Sequence, residues 1–164
     1  ILEMPVNVED LDLSDSEIDT RIRRKLLRLG RVETDNPTHV ARRRRGQDRI
    51  RAMTLQNYQH QCALCDISEP ALLIASHIVP WSACEEARGD LCNVICLCRF
   101  HDVLFEFGYW SLDTNNDVIA KAPLVSWPIQ ALIPSTIAFR LPAEFEPQET
   151  YLLNHRMRHG FNVP

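Results

Sequence analysis

The chain has no long hydrophobic run. The stretch 71–75 is as long as any, five apolar residues against the ~20 needed to cross a bilayer, so a membrane span is excluded at the sequence level. Basic residues are absent from the first twenty positions, which hold seven acids (Glu3, Glu9, Asp10, Asp12, Asp15, Glu17, Asp19). That is the reverse of a secretory or transit leader, and cytoplasmic residence is the expectation. Internal repeats and low-complexity tracts are also lacking, which sets aside solenoids and linkers. No methionine stands at the start: the chain opens on Ile1, so a piece of a longer protein with a separate specificity domain elsewhere is an open expectation. What is present is ordinary for a folded domain. The 164 residues, 45% hydrophobic and 24% charged, fit one domain that buries roughly 68–70% of its unfolded surface.

The net charge of −4 argues against a polyanion partner only as an average. Residues 21–53 carry twelve bases against three acids (Glu33, Asp35, Asp48), and four of the bases, Arg42, Arg43, Arg44 and Arg45, are consecutive. Clustered cations hold polyanions by releasing their counterions, so this block is a candidate phosphate-binding surface. A helix face paired with the acidic segment before it explains the same charges. Six cysteines (Cys62, Cys65, Cys84, Cys92, Cys96, Cys98) fall within 37 residues. With no secretory leader and a CxxC pair, they read as metal ligands before disulfides, with zinc the leading metal.

Local patterns predict a loose acidic start at 1–15, then a helix opened by the Ser14/Glu17 capping box and running to Leu29 before Gly30. A polar link containing Asn36 and Pro37 follows, then a helix at 47–58. Strands are predicted at 71–78 and 94–97 around a polar loop at 82–91, then a helix at 99–107 stopped by Gly108. A hairpin is predicted at 109–122 around residues 114–117. Prolines break up the remainder until a last helix at 149–159.

Chemistry concentrates in one register. Ser76, His77, Ile78, Val79 and Pro80 are followed by Asn93, sixteen residues after His77, and then by His101 and Asp102, eight and nine residues after Asn93. This resembles the ββα-metal motif of HNH endonucleases. Arg45, Gly46, Gln47, Tyr58, Cys62, residues 75–82, Arg88, Asn93, Cys96, Leu97, Phe105 and Gly108 extend the resemblance to the restriction-endonuclease-like branch. Leu141, Pro142, Phe145, Pro147, Leu153, His155, Arg156 and Phe161 resemble its tail, so the likeness covers residues 42–161. It implies an α+β fold with a ββα-metal (His-Me finger) core, structural zinc, additional helices and a short hairpin. Residues 42–164 would form the nuclease domain and 1–41 a linker or assembly element, with a homodimer as one expected state.

The residues themselves suit phosphodiester hydrolysis. An imidazole can take a proton from water near neutral pH, which makes His77 the expected general base. Asp102 and Glu106, at i and i+4 on one helix face, offer hard oxygen ligands for Mg²⁺ or Mn²⁺. The resemblance implies the same positions, gives Asn93 the role of bracing the loop that orients the base, and implies DNA cleavage to a 3′-hydroxyl and a 5′-phosphate, in restriction or defence. It also implies a zinc clamp made of Cys62, Cys65, Cys98 and His101, four ligands for a closed tetrahedral site. Cys96 replacing Cys98, and His101 serving the catalytic metal, stay open. Arg42, Arg43, Arg44, Arg45, Arg51, Trp81, Arg88 and Arg99 are the expected DNA contacts. Ser76 stands where many such enzymes place a metal ligand, so a non-catalytic zinc-containing nucleic-acid-binding module is the competing reading.

Overall fold

The computed structural model describes residues 13–27, 37–121, 126–133 and 138–162, with the side chains of the second helix from Arg45 onward. The architecture is α+β. Helices α1 (Asp15–Arg23) and α2 (Pro37–Asn57) precede an antiparallel pair, β1 (Leu73–His77) and β2 (Val94–Cys98). Helix α3 (Arg99–Glu106) follows β2 directly. A small hairpin, β3 (Trp110–Leu112) with β4 (Val118–Ala120), and helices α4 (Trp127–Leu132) and α5 (Glu149–Arg158) complete the described order.

Helix α1 begins as its capping box dictates: the Ser14 amide donates to the Glu17 carboxylate (2.8 Å). It ends well before the expected Leu29. Lys25 adopts φ +57°, its amide bonds to the Ile22 carbonyl (3.0 Å), and the Leu26 amide bonds to Arg21 (2.8 Å). That is a Schellman stop made without glycine; Leu29 and Gly30 lie outside the described residues. Helix α2 begins ten residues before the expected Gln47, because Pro37, assigned to a link by the sequence pattern, is its first residue. A first-turn proline loses no helical hydrogen bond. The short helix α4 was not anticipated; its Pro128 sits in the first turn, where proline is compatible with helix.

Two apolar clusters hold the elements. One gathers Leu55, Tyr58, Leu73, Ile78, Ile95, Leu97, Phe105, Trp110 and Leu152 around the β1–β2 pair. The other joins Leu13, Ile18, Ile22 and Leu27 to Ile50, Met53, Leu91 and Val94. The apolar stripe of α1 is thus closed within the chain, Ile18 and Ile22 being buried. The 41/42 boundary implied by the resemblance falls inside α2, with this cluster spanning both sides of it. Gly89 permits a close approach beside this cluster: a Cβ there would stand 2.8 Å from the Leu27 carbonyl oxygen.

Helix α5 is fixed by polar groups in an otherwise apolar setting. His155, fully buried, is hydrogen-bonded between Ser111 (3.0 Å) and the Phe105 carbonyl (3.0 Å), and stacks on the Phe105 ring at 3.9 Å. Arg156, also buried, donates to the Leu112 carbonyl (2.7 Å) and pairs with Glu149. These contacts fasten α5 against α3 and β3, which determines where the next exposed turn of α5 points.

Candidate functional site

Cys62 and Cys65 lie in the turn region after α2, Cys98 closes β2, and His101 stands in the first turn of α3. Their ligand atoms all lie within 4.8 Å of one another. The sulfurs of Cys65 and Cys98 are 3.9 Å apart, and His101 Nδ1 is 3.2 Å from Cys98 and 3.5 Å from Cys62. Ligands at ~2.3 Å from one tetrahedral zinc stand at this kind of separation. The surroundings fit the same ion. The His101 Nε2–H donates to the Leu132 carbonyl (2.9 Å), which fixes the tautomer and presents bare Nδ1 to the cluster. The amides of Leu64 (3.5 Å) and Cys98 (3.2 Å) donate to the Cys62 sulfur, as they would to a thiolate. Burial, with the neighbouring Cys62 and Cys98 thiols, pushes the Cys65 thiol up to about 12, a cost that a cation among the sulfurs removes. The Cys₃His cluster is compatible with structural zinc. Cys96 is outside it, buried on β2 with its thiol pushed up to about 12 chiefly by burial.

On the other side of α3 lies a cleft. His77 ends β1, and its Nε2–H donates to the Arg88 carbonyl at 3.2 Å, since a carbonyl can only accept. The neutral ring therefore keeps Nδ1 as a bare acceptor. Burial holds the His77 imidazole below its ordinary value, partly opposed by the Arg88 carbonyl. The ring meets Trp81 edge to face, centroids 5.5 Å apart.

The loop between the strands is gripped by one amide. Asn93, with no exposed surface, accepts from the Val79 amide (2.9 Å) and donates to the carbonyls of Val79 (3.2 Å) and Ala87 (3.0 Å). It ties both ends of the loop that carries Arg88, and so the partner of His77.

His77 lines a pocket of about 230 Å³ together with Ser76, Asp102, Glu106 and Arg158. Asp102 and Glu106 come from the α3 face turned away from the cysteine cluster. Sequence reasoning missed Arg158: it arrives from α5, more than fifty residues downstream, and nothing in its local pattern marks it. Its guanidinium donates to the Ile78 carbonyl (3.3 Å), and burial lowers its pKa. Among the described residues no ion pair is formed by Arg158, Asp102 or Glu106.

The expected DNA contacts divide. Arg45 is held by Asp15 (2.6 Å) and the Leu13 carbonyl (3.2 Å), and the neighbouring Arg49 by Asp19. In these two residues the basic block is paired with the acidic segment before it. Arg51 donates to the carbonyls of Pro70 and Leu73. Arg88 is only 4% exposed; it donates to the Trp81 carbonyl (2.8 Å), pairs with Glu85 and lies over the Trp81 ring at 5.4 Å, and so it braces the loop. Arg99 is exposed, and Trp81 is half-buried in the cleft wall. The side chains of Arg42, Arg43 and Arg44 lie outside the described residues.

Residues 62–113 match the family model described as HNH endonuclease, and this segment is accordingly assigned to the HNH family. The match spans the cysteine cluster, His77, Asn93, Asp102 and Glu106, and points to a nuclease or nucleic-acid-binding function. No curated protein matched the chain. No helix among the described residues is long and apolar enough to cross a membrane.

Proposed function

We propose that the chain is a metal-dependent endonuclease that hydrolyses DNA phosphodiester bonds, in a restriction or defence setting. The observation that carries this reading is the pocket that an imidazole with a bare Nδ1 lines together with two carboxylates and a guanidinium that form no ion pair among the described residues. In this reading β1, β2 and α3 form a ββα-metal core, and Cys62, Cys65, Cys98 and His101 hold a structural zinc that fixes the start of α3. Asp102 and Glu106 would hold Mg²⁺ or Mn²⁺. When bound, that ion supplies charge neutralisation at a phosphoryl oxygen and at the departing oxygen.

The chain's own groups do the rest. His77 Nδ1 takes the proton of the attacking water, and the lowered pKa keeps the ring neutral at the pH where this is needed. Asn93 holds the loop so that the Arg88 carbonyl fixes the imidazole in the productive tautomer. Arg158 meets a non-bridging phosphoryl oxygen, where a planar fork of donors is well matched. Plasmid incubated with the zinc-loaded chain and Mg²⁺ or Mn²⁺ should be cut, and His77→Ala should abolish cutting. Failure of every divalent metal with a folded protein overturns the reading.

One observation favours the competing reading of a non-catalytic zinc-containing nucleic-acid-binding module: Ser76, not an acid, lines the pocket beside His77, so the carboxylate ligands are only two. That module would bind DNA in a salt-sensitive way, without hydrolysis, and Asp102→Ala would leave it unchanged.

A further inference from the structure

A second, larger pocket of about 420 Å³ opens on the α2 side of the same cleft. It shares Ile74, Ala75, His77 and Trp81 with the smaller pocket, so the two adjoin as neighbouring lobes with His77 in the wall of both. Their chemistry differs. The smaller lobe carries the carboxylates and Arg158. The larger has an apolar floor of Ile50, Leu73, Ile74 and Ala75, with Gln47, Asp48, Arg51 and Arg99 among its polar lining residues. Neither Gln47 nor Asp48 has a hydrogen-bonded partner among the described residues, although both lie on the helix turn facing the pocket.

We infer that this lobe is a subsite for one nucleobase drawn out of the stack, beside the phosphate to be cut; the inference rests on the nuclease reading above. A sugar-phosphate backbone would leave the apolar floor unmatched, whereas the flat faces of a base bury well against aliphatic side chains. The floor occupies a volume typical of small-ligand sites and large enough for a base. The base edge offers alternating donors and acceptors, which the Gln47 amide and the Asp48 carboxylate can meet. Arg99, exposed and without an ion pair among the described residues, is placed to take the adjoining phosphate. A base paired within a duplex cannot enter such a lobe, so the substrate is a single strand or a duplex opened at the cut.

The test uses the full zinc-loaded chain with no added magnesium or manganese. Its affinity is measured for a short single strand carrying 2-aminopurine, for the same strand with an abasic site at that position, and for the matched duplex. The 2-aminopurine strand should bind about tenfold more tightly than the abasic strand, with a change in its fluorescence. Ala71→Trp, at an exposed position on the lobe's rim, should fill the lobe and erase that preference. Should Ala71→Trp fail to fold, Gln47→Ala serves the same purpose and should weaken the preference severalfold. Equal binding of the 2-aminopurine and abasic strands, or a preference that survives in a folded lobe variant, overturns the subsite. Plasmid cutting without a base preference removes the subsite and leaves the nuclease; a base preference without cutting under any metal removes the nuclease and leaves a base-binding pocket.

Discussion

Helix α3 separates two regions with opposite construction. The Cys₃His corner is closed: its four ligands come from two CxxC-type pairs, and backbone amides and the Leu132 carbonyl orient them. The cleft is open: His77, Asp102, Glu106 and Arg158 come from β1, α3 and α5, and Asp102, Glu106 and Arg158 form no ion pair among the described residues. A closed polar cluster stabilises a fold, while unpaired charges that face solvent lower stability slightly and are retained where a ligand completes them. The two regions should therefore respond to mutation in opposite ways, the first through folding and the second through binding and rate.

The largest expected effect belongs to the corner. Structural zinc contributes roughly 10–16 kcal/mol of apparent binding energy in small domains, as much as a whole domain's net stability. Chelation, or Cys98→Ser, should remove the cooperative thermal transition followed by circular dichroism and release about one zinc per chain. A variant melting within a few degrees of the native protein would mean that the four side chains do not hold a metal. Asp102→Ala, across the same helix, should keep the zinc and the transition.

His77→Ala should sharpen the contrast. Loss of a general base lowers rates by about 10²- to 10⁴-fold, and here zinc content and melting temperature should stay near native. Because burial places the His77 pKa below that of a free imidazole, the proposed base would be neutral through pH 7. The rate should then fall only as pH drops through that lowered value, below 6.5. A rate profile whose acidic limb lies above 6.5 would assign the proton transfer to another group.

These differences explain what the sequence made legible. The corner was readable because a CxxC and a CxxH pair are local patterns with few other uses. The hairpin and α3 were readable because Gly108, at φ +70°, stops the helix where a glycine stop is expected. Arg158 was not readable, since its place depends on buried His155 and Arg156 docking α5, a tertiary fact with no local spacing. The basic block carried two readings from sequence, a phosphate surface or a face paired with the acidic segment, and at Arg45 and Arg49 the pairing with Asp15 and Asp19 is what the structure contains. The early start of α2 was missed because proline was read as a break rather than as a first-turn residue.

An intermediate effect distinguishes packed from reactive histidines. Burial, chiefly, lowers the His155 pKa to about 3 from an ordinary 6.5. Between those values the unfolded chain binds a proton that the folded chain refuses, so stability rises with pH across this window and is lost as pH falls below 6.5. The slope is about 1.4 kcal/mol per pH unit, which gives roughly 2 kcal/mol lost at pH 5. Chemical denaturation at pH 7 and pH 5 should show this decrease, and His155→Phe, if folded, should reduce it. A pH-independent midpoint would mean that His155 can be protonated in place.

The smallest expected effect tests whether a paired arginine can also serve DNA. Arg49 is held by Asp19 at a half-exposed site, where removing one partner costs less than about 1 kcal/mol. Its charge is already compensated, so Arg49→Ala should leave the dependence of DNA affinity on salt nearly unchanged. Arg99 lines the cleft without an ion pair among the described residues. Each phosphate contact contributes about 0.7 to 0.9 to the slope of log affinity against log salt, so Arg99→Ala should flatten it by that amount. Equal flattening by both substitutions would extend the DNA path from the cleft onto the α1–α2 face, with Arg49 exchanging Asp19 for a phosphate.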